Sequence, residues 1–184
     1  MGADFHIGLA AEHDHRVSDA IPADGPAPEP NPRVTIPVGA YVTTQDTWSA
    51  QWRRAEIPAA AGYGNARSVA VQSLLTSAGR RASAGLLSEA IRRTVFDEQS
   101  HDVDLVLGIP LRFGMGYALT AEDAPVHTTN RHTCYWGGRG GSLVVNDLDT
   151  GMTFAYVMNR MSHHGLADPR SRTLLQAVYK ALTA

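Results

Sequence analysis

The sequence predicts an α+β fold, a single domain over residues 1–184 with an antiparallel sheet flanked by helices. Three observations point there. The first half carries apolar residues at helical spacing. From Leu105 the pattern changes to consecutive strand-like runs reaching Asn159. Asp168-Pro169 then opens a closing amphipathic helix. A length of 184 residues is enough for one ordinary core.

Taken in order, Asp4-Phe5-His6-Ile7-Gly8-Leu9 is short, apolar and abrupt, and reads as the end of an element with something before it. Glu12-His13-Asp14-His15 places two histidines beside two carboxylates. Without a His-Glu-x-x-His pattern it reads as a solvated turn rather than a metal site. Residues 22–37 hold six of the ten prolines and form an irregular surface excursion. Thr43 and Asp46 suit the start of a helix that carries Trp48, Trp52 and Ala55 on one face and ends at Pro58. The two tryptophans are expected to pack in the core. Asn65 caps a second helix with Ala66, Val69, Ala70, Leu74 and Leu75 as its stripe and Gly79 as its stop. Ser88 caps a third, short helix, and Asp97 to Asp104 is expected to be loop.

Phe113, Met115, Tyr117 and Leu119 alternate with small or polar partners, which predicts a half-buried strand. Further strands are expected at His132–Trp136, Ser142–Asp147 and Met152–Asn159, the last two joined by the turn Asp147-Leu148-Asp149-Thr150-Gly151. In the closing helix Leu174, Leu175, Val178, Tyr179 and Leu182 share one face.

The totals narrow the classes of function. With 43% hydrophobic and 18% charged residues the chain reads as globular and soluble. A formal net charge of -2 and no basic stripe argue against nucleic acid. The single cysteine, Cys134, excludes an internal disulfide and a multi-thiolate zinc site, and favours a reducing compartment. No apolar run approaches the roughly 20 residues of a membrane span, and Met1–His6 has no signal-peptide pattern, so a cytoplasmic location is expected. No cofactor or metal is expected.

The chemistry-bearing stretch is Tyr135-Trp136-Gly137-Gly138-Arg139-Gly140-Gly141-Ser142, in which four glycines leave backbone N–H groups unshielded between two strands. A P-loop would need a lysine and a following helix, whereas Ser142-Leu143-Val144-Val145 is strand-like. The Asp147 turn is not an EF-hand, because Gly151 stands at a ligand position. No serine has the flanking glycines of a nucleophile elbow, and Ser-x-x-Lys does not occur. Ser77-Ala78-Gly79-Arg80 comes nearest, but arginine stays protonated and cannot act as a base. Cys134 reads as a buried, inert thiol. What is left is an oxyanion-binding wall without an obvious nucleophile.

That combination resembles the serine β-lactamase-like superfamily, in particular family VIII carboxylesterases and class C-type β-lactamases. There the strand lining the site carries Lys-Thr-Gly, or Trp/His-x-Gly in the esterases, followed by glycines. Trp136-Gly137-Gly138 matches this, and Arg139-Gly140-Gly141-Ser142 continues it. Asp4–Leu9, Glu56-Ile57-Pro58-Ala59-Ala60, Asn65-Ala66-Arg67-Ser68 and Tyr156–Met161 are also similar to family segments. The resemblance spans nearly all of this chain but about the second half of a family member. It implies a β-lactamase/transpeptidase-like fold, incomplete on its amino-terminal side.

It further implies that Ser-x-x-Lys and the second base, in Tyr-x-Asn, would precede Met1. Tyr63-Gly64-Asn65 spells the latter motif but falls where the family has a structural turn. The residue after the Lys-Thr-Gly equivalent donates its backbone N–H to the oxyanion, which here is Arg139. Trp136, Gly137 and Gly138 would line the substrate. Trp136 in place of lysine removes a cation that grips the β-lactam carboxylate, so a small-molecule ester is the expected substrate. The alternatives are a catalytically inactive truncated homologue, a half-enzyme that acts only with a partner chain or by self-association, and a binding module without chemistry.

Overall fold

The computed structural model describes residues 2–26, 32, 42–72 and 87–183. Six strands form one antiparallel meander: β3 (Ser100–Val103), β4 (Pro110–Phe113), β5 (Ala118–Leu119), β6 (Thr133–Gly137), β7 (Leu143–Asp147) and β8 (Met152–Tyr156), each beside the next in sequence order. The α+β expectation holds. A separate two-stranded ribbon pairs β1 (Phe5–Ile7) with β2 (Gly62–Gly64). Its glycines have a steric reason: a Cβ on Gly62 would come within 2.7 Å of Phe5 Cζ, and one on Gly64 within 2.5 Å of Phe5 Cδ2. The Phe5 ring therefore lies where side chains of β2 would otherwise stand.

β6 is buried on both faces. Tyr135 joins Leu111, Ala118, Leu143, Val145, Leu166 and Leu175 in one core, while Cys134 packs with Val95 and Leu119 on the other side. The first core is covered by the closing helix, α4 (Pro169–Leu182). Of its expected stripe, Leu175 is buried and Tyr179 packs against the cluster, whereas Leu174 and Leu182 stay exposed. The helix rolls so that Ser171, Leu175 and Tyr179, spaced by four, face the sheet.

Asp147 fixes that roll. It is fully buried, and its carboxylate accepts from Tyr179 Oη (2.9 Å), Asn130 Nδ2 (2.6 Å) and Thr150 N (3.0 Å). Burial, followed by the bond to Asp147, pushes the Tyr179 phenol up to about 12, so it serves as a permanent donor.

Several expectations are corrected. The helix expected from Thr43 is two pieces, a 3₁₀ turn over Gln45–Trp48 and α1 (Ala50–Arg54). Ser49 between them is extended, and its Oγ accepts from Trp52 N (3.2 Å), so an N-cap interrupts the run. α1 ends at Arg54, well before Pro58. Trp48 is exposed and donates its indole N–H to Ala20 O (2.8 Å) instead of packing in the core.

Asp97–Asp104 is not simply loop, since β3 runs through it. β3 is a solvent-facing edge strand whose backbone pairing with β4 needs no apolar side chains. The single strand expected at Phe113–Leu119 is two strands and a turn. Gly114 N donates to Tyr117 O (2.9 Å), Gly116 has φ +80, and a Cβ at Gly114 would strike the Val95 carbonyl. β8 stops at Tyr156, after which Asn159 O and Met161 N both bond Ile21.

The caps at Asn65, Ser88 and Asp168 and the Asp147–Gly151 turn are as expected; they belong to α2 (Ala66–Gln72), α3 (Glu89–Thr94), α4 and the β7–β8 hairpin. Leu74, Leu75, Gly79 and most of the proline-rich excursion lie outside the described residues. No helix among the described residues is long and apolar enough to cross a membrane.

Replacing the buried Asp147 by alanine strands three part-buried donors and is expected to lower stability by about 2 kcal/mol. Tyr179→Phe should cost about 1 kcal/mol, and the double variant should cost less than the sum of the two. Urea unfolding with an unchanged slope checks all three. A strictly additive double variant would show that the two groups are not coupled.

Candidate active site

The glycine-rich stretch turns the chain from β6 into β7. Gly138 N donates to Ser142 O (2.9 Å) and Gly141 N to Gly138 O (3.0 Å), closing a tight turn with Arg139 and Gly140 at its corner. Side chains are crowded out to different degrees along this turn. A Cβ on Gly138 would lie 2.5 Å from Ser142 Oγ, and one on Gly140 2.5 Å from Met158 Cε. Gly141 has φ +104, and its Cβ would occupy the space of Asp168 Oδ2.

Asp168 is fully buried and is the hub of the turn's support. Its Oδ1 accepts from Arg170 N (2.8 Å), capping α4. The Arg170 guanidinium meets the same carboxylate through Nε (3.1 Å) and Nη2 (2.6 Å), and Nη2 also donates to Gly140 O (3.2 Å). Ser162 N donates to that carbonyl as well (2.9 Å). Burial raises the Asp168 carboxyl, but the Arg170 hydrogen bonds outweigh it and hold the group below its usual range.

Gly140 O therefore points into the protein and is doubly bonded, while among the described residues the Arg139 and Gly140 N–H groups donate to nothing. Arg139 is exposed, and its side chain reaches Val42 O (3.1 Å). Trp136 is partly exposed, with its ring 5.5 Å from that of Phe113.

Trp136, Gly137, Gly138 and Arg139 are thus consecutive on one strand end and its turn. Asp168 and Arg170, which hold the turn, were missed as site residues. Asp168-Pro169 gave only a cap signal, and nothing local linked Arg170 to a carbonyl thirty positions away.

Tyr63-Gly64-Asn65 is occupied otherwise. Asn65 Oδ1 takes Ser68 N (3.0 Å) as a helix cap, and burial raises the Tyr63 phenol, the wrong direction for a base. Cys134 is buried and its thiol is pushed up to about 12. Asp14, within the Glu12–His15 cluster, pairs with Arg54 (2.5 Å), and no metal-binding group occurs among the described residues. Single lysine Lys180 lies on α4.

A cavity of about 590 Å³ opens between the β1–β2 ribbon and the run after β8, lined by Asp4, His6, Arg16, Tyr63 and Asn159 among others. Its Asp4 carboxyl is held down to about 2, first by Arg16 and then by His6. Met158, which also lines it, separates it from the glycine turn.

The meander, its covering carboxy-terminal helix and the bare turn at the end of β6 are those of a β-lactamase/transpeptidase-like fold. The family model described as Beta-lactamase matches residues 2–179, and the chain belongs to that family. Among solved structures, a penicillin-binding protein homolog from Caulobacter crescentus is 30% identical with a TM-score of 0.77, covering 97% of this chain and 48% of that one. A family VIII carboxylesterase is 27% identical (TM-score 0.76; 96% and 47% covered). EstA from Arthrobacter nitroguajacolicus Rue61a shares the fold at 22% identity (TM-score 0.74; 99% and 50% covered). The chain spans about half the length of these proteins. No curated protein matches the sequence.

Gly141→Ala is expected to destabilise the chain by about 2–4 kcal/mol, from a positive-φ side chain driven into Asp168. Because the Asp168 carboxyl is depressed in the folded state, its contribution is complete above the unfolded value of about 4 and is lost as pH falls through the folded one. Denaturation from pH 6 down to pH 3 should therefore show an acid loss in the parent that Asp168→Asn has already suffered at pH 6. Parallel curves for the two would rule out the clamp as its source.

Proposed function

We propose that this chain supplies the oxyanion wall of a serine hydrolase that cleaves carboxylic esters. The observation that carries it is the Arg139 N–H, which donates to nothing among the described residues, at the corner of a turn whose neighbouring carbonyl is tied back by Arg170 and Ser162. An acyl-transfer transition state puts negative charge on the former carbonyl oxygen, and a fixed N–H aimed at that charge stabilises it without reorganisation. Trp136, Gly137 and Gly138 line the approach. The Trp-x-Gly form, without a lysine cation, supports esters over β-lactams, and so does the likeness to a family VIII carboxylesterase.

The step needs a serine whose Oγ attacks the carbonyl carbon, a base that takes its proton, and return of that proton to the departing alcohol. The 184 residues contain no Ser-x-x-Lys, and Lys180 sits at the end of α4 away from the turn, so on this reading the nucleophile and its base are supplied by sequence outside them. That same absence supports a second reading: alone the chain is inactive, and it acts as a half-enzyme with a partner chain or is a non-catalytic homologue.

A fluorophosphonate probe should leave the purified chain unlabelled, and a labelled serine within it would sink the assignment. Where the chain is joined or paired with a Ser-x-x-Lys segment, short-chain p-nitrophenyl esters should turn over faster than a β-lactam. In that assembly Arg139→Pro, which deletes the N–H, should lower kcat by about 10²–10³. Arg139→Ala, which keeps it, should change kcat little. Equal losses in the two variants would assign the effect to the side chain.

A further inference from the structure

We propose that Met115, with Trp136 and Phe113, forms the seat for the apolar group bonded to the ester carbonyl, so that the site selects esters by chain length on this side. The inference rests on the ester-hydrolase reading and adds a specificity residue to it.

The register places Met115. Phe113 pairs with Ala118, and Ala118 with Tyr135, so the Gly114–Tyr117 turn leaves the sheet at the same end as the Gly138–Gly141 turn, from the neighbouring strand. The turn is fixed: Met115 N donates to Val95 O (3.1 Å), Gly114 N to Tyr117 O (2.9 Å), and no Cβ fits at Gly114. Met115 is nonetheless 54% exposed, and Trp136, at the same end of the sheet, is 37% exposed. The Phe113 and Trp136 rings, tilted at 44°, continue the apolar surface.

The opposite flank of the glycine turn is already filled. Met158 and Met161 pack onto Gly140, and Met161 Sδ accepts from Thr44 Oγ1 (3.3 Å). An ester whose carbonyl oxygen meets the Arg139 N–H therefore finds open apolar surface toward Met115. A thioether and two aromatic rings adapt to chains of varied shape and carry no charge. This surface fits an unbranched alkyl or aryl group, with no recognition of a charge.

The test uses the 184-residue chain with 13C-labelled methionine methyls, titrated with ethyl esters from acetate to hexanoate and with the isomeric alkyl acetates. The Met115 methyl, assigned by its loss in Met115→Leu, should shift. Apparent Kd should fall about 2–4-fold per added methylene in the series that places its chain there. Dependence in the ethyl esters identifies the acyl side, in the alkyl acetates the alcohol side, and either supports the seat. Met115→Asp should abolish the dependence while the Met152 methyl keeps its position, showing an intact fold. Shifts at Met158 and Met161 without one at Met115, or no shift in either series, would overturn the proposal. Since no turnover is involved, that failure is separate from a failure of the hydrolase reading, which fluorophosphonate labelling and p-nitrophenyl ester turnover report.

Discussion

One ion pair around a buried carboxylate holds the glycine turn in place. Asp168 is out of water, and such a carboxylate persists only when its charge is met and its lone pairs are used. Arg170 does both, in a forked geometry that lysine could not reproduce. The same guanidinium then reaches Gly140 O, so the pair also sets the direction of the Gly140–Gly141 peptide plane. The N–H groups of Arg139 and Gly140, in the two peptides before it, donate to nothing among the described residues. Gly141 is glycine because the carboxylate occupies the space a side chain would need. Sequence, strain and electrostatics thus converge on one turn.

The helix carrying the ion pair is itself held at a second point. Pro169 and Tyr179 are ten positions apart, about 15 Å along a helix, and β7 from Leu143 to Asp147 runs about 13 Å. α4 can therefore span the sheet from the glycine turn, where Asp168 binds, to the far end of β7, where Tyr179 meets Asp147. Two buried carboxylates, one at each end, splint the two strands that form the turn. Leu175 between them contributes the apolar burial. Polar anchors fix direction where the hydrophobic contact alone would tolerate sliding.

What the sequence revealed and what it hid follow the range of the interactions. Caps and turns are local, so Asn65, Ser88, Asp168 and the Asp147–Gly151 turn were legible from neighbouring residues. The strands β6 and β7, buried on both faces or nearly so, announced themselves as apolar runs. β3 did not, because an edge strand held by backbone pairing leaves no side-chain pattern. The alternation across Phe113–Leu119 misled because a glycine turn happens to preserve the period of two that a strand would show. At the site, the bare backbone of Trp136–Gly141 could be read directly. Its support could not, since Arg170 and Gly140 meet only after the sheet and closing helix have packed.

In the proposed hydrolase an oxyanion wall and a nucleophile have different structural requirements, and only the first would fall to this chain. Such a wall needs a rigid turn, which a sheet, a helix and one ion pair provide here. A serine nucleophile needs a base within hydrogen-bond reach, and the only lysine here is on α4, with no serine three residues before it. A wall without a nucleophile can still bind a carbonyl, because the N–H donor attracts a ground-state oxygen as well as an oxyanion, though less strongly. Binding and chemistry are therefore separable properties of this fold. On the proposed reading, apolar surface beside the wall governs the first, whether or not a serine is brought to complete the second.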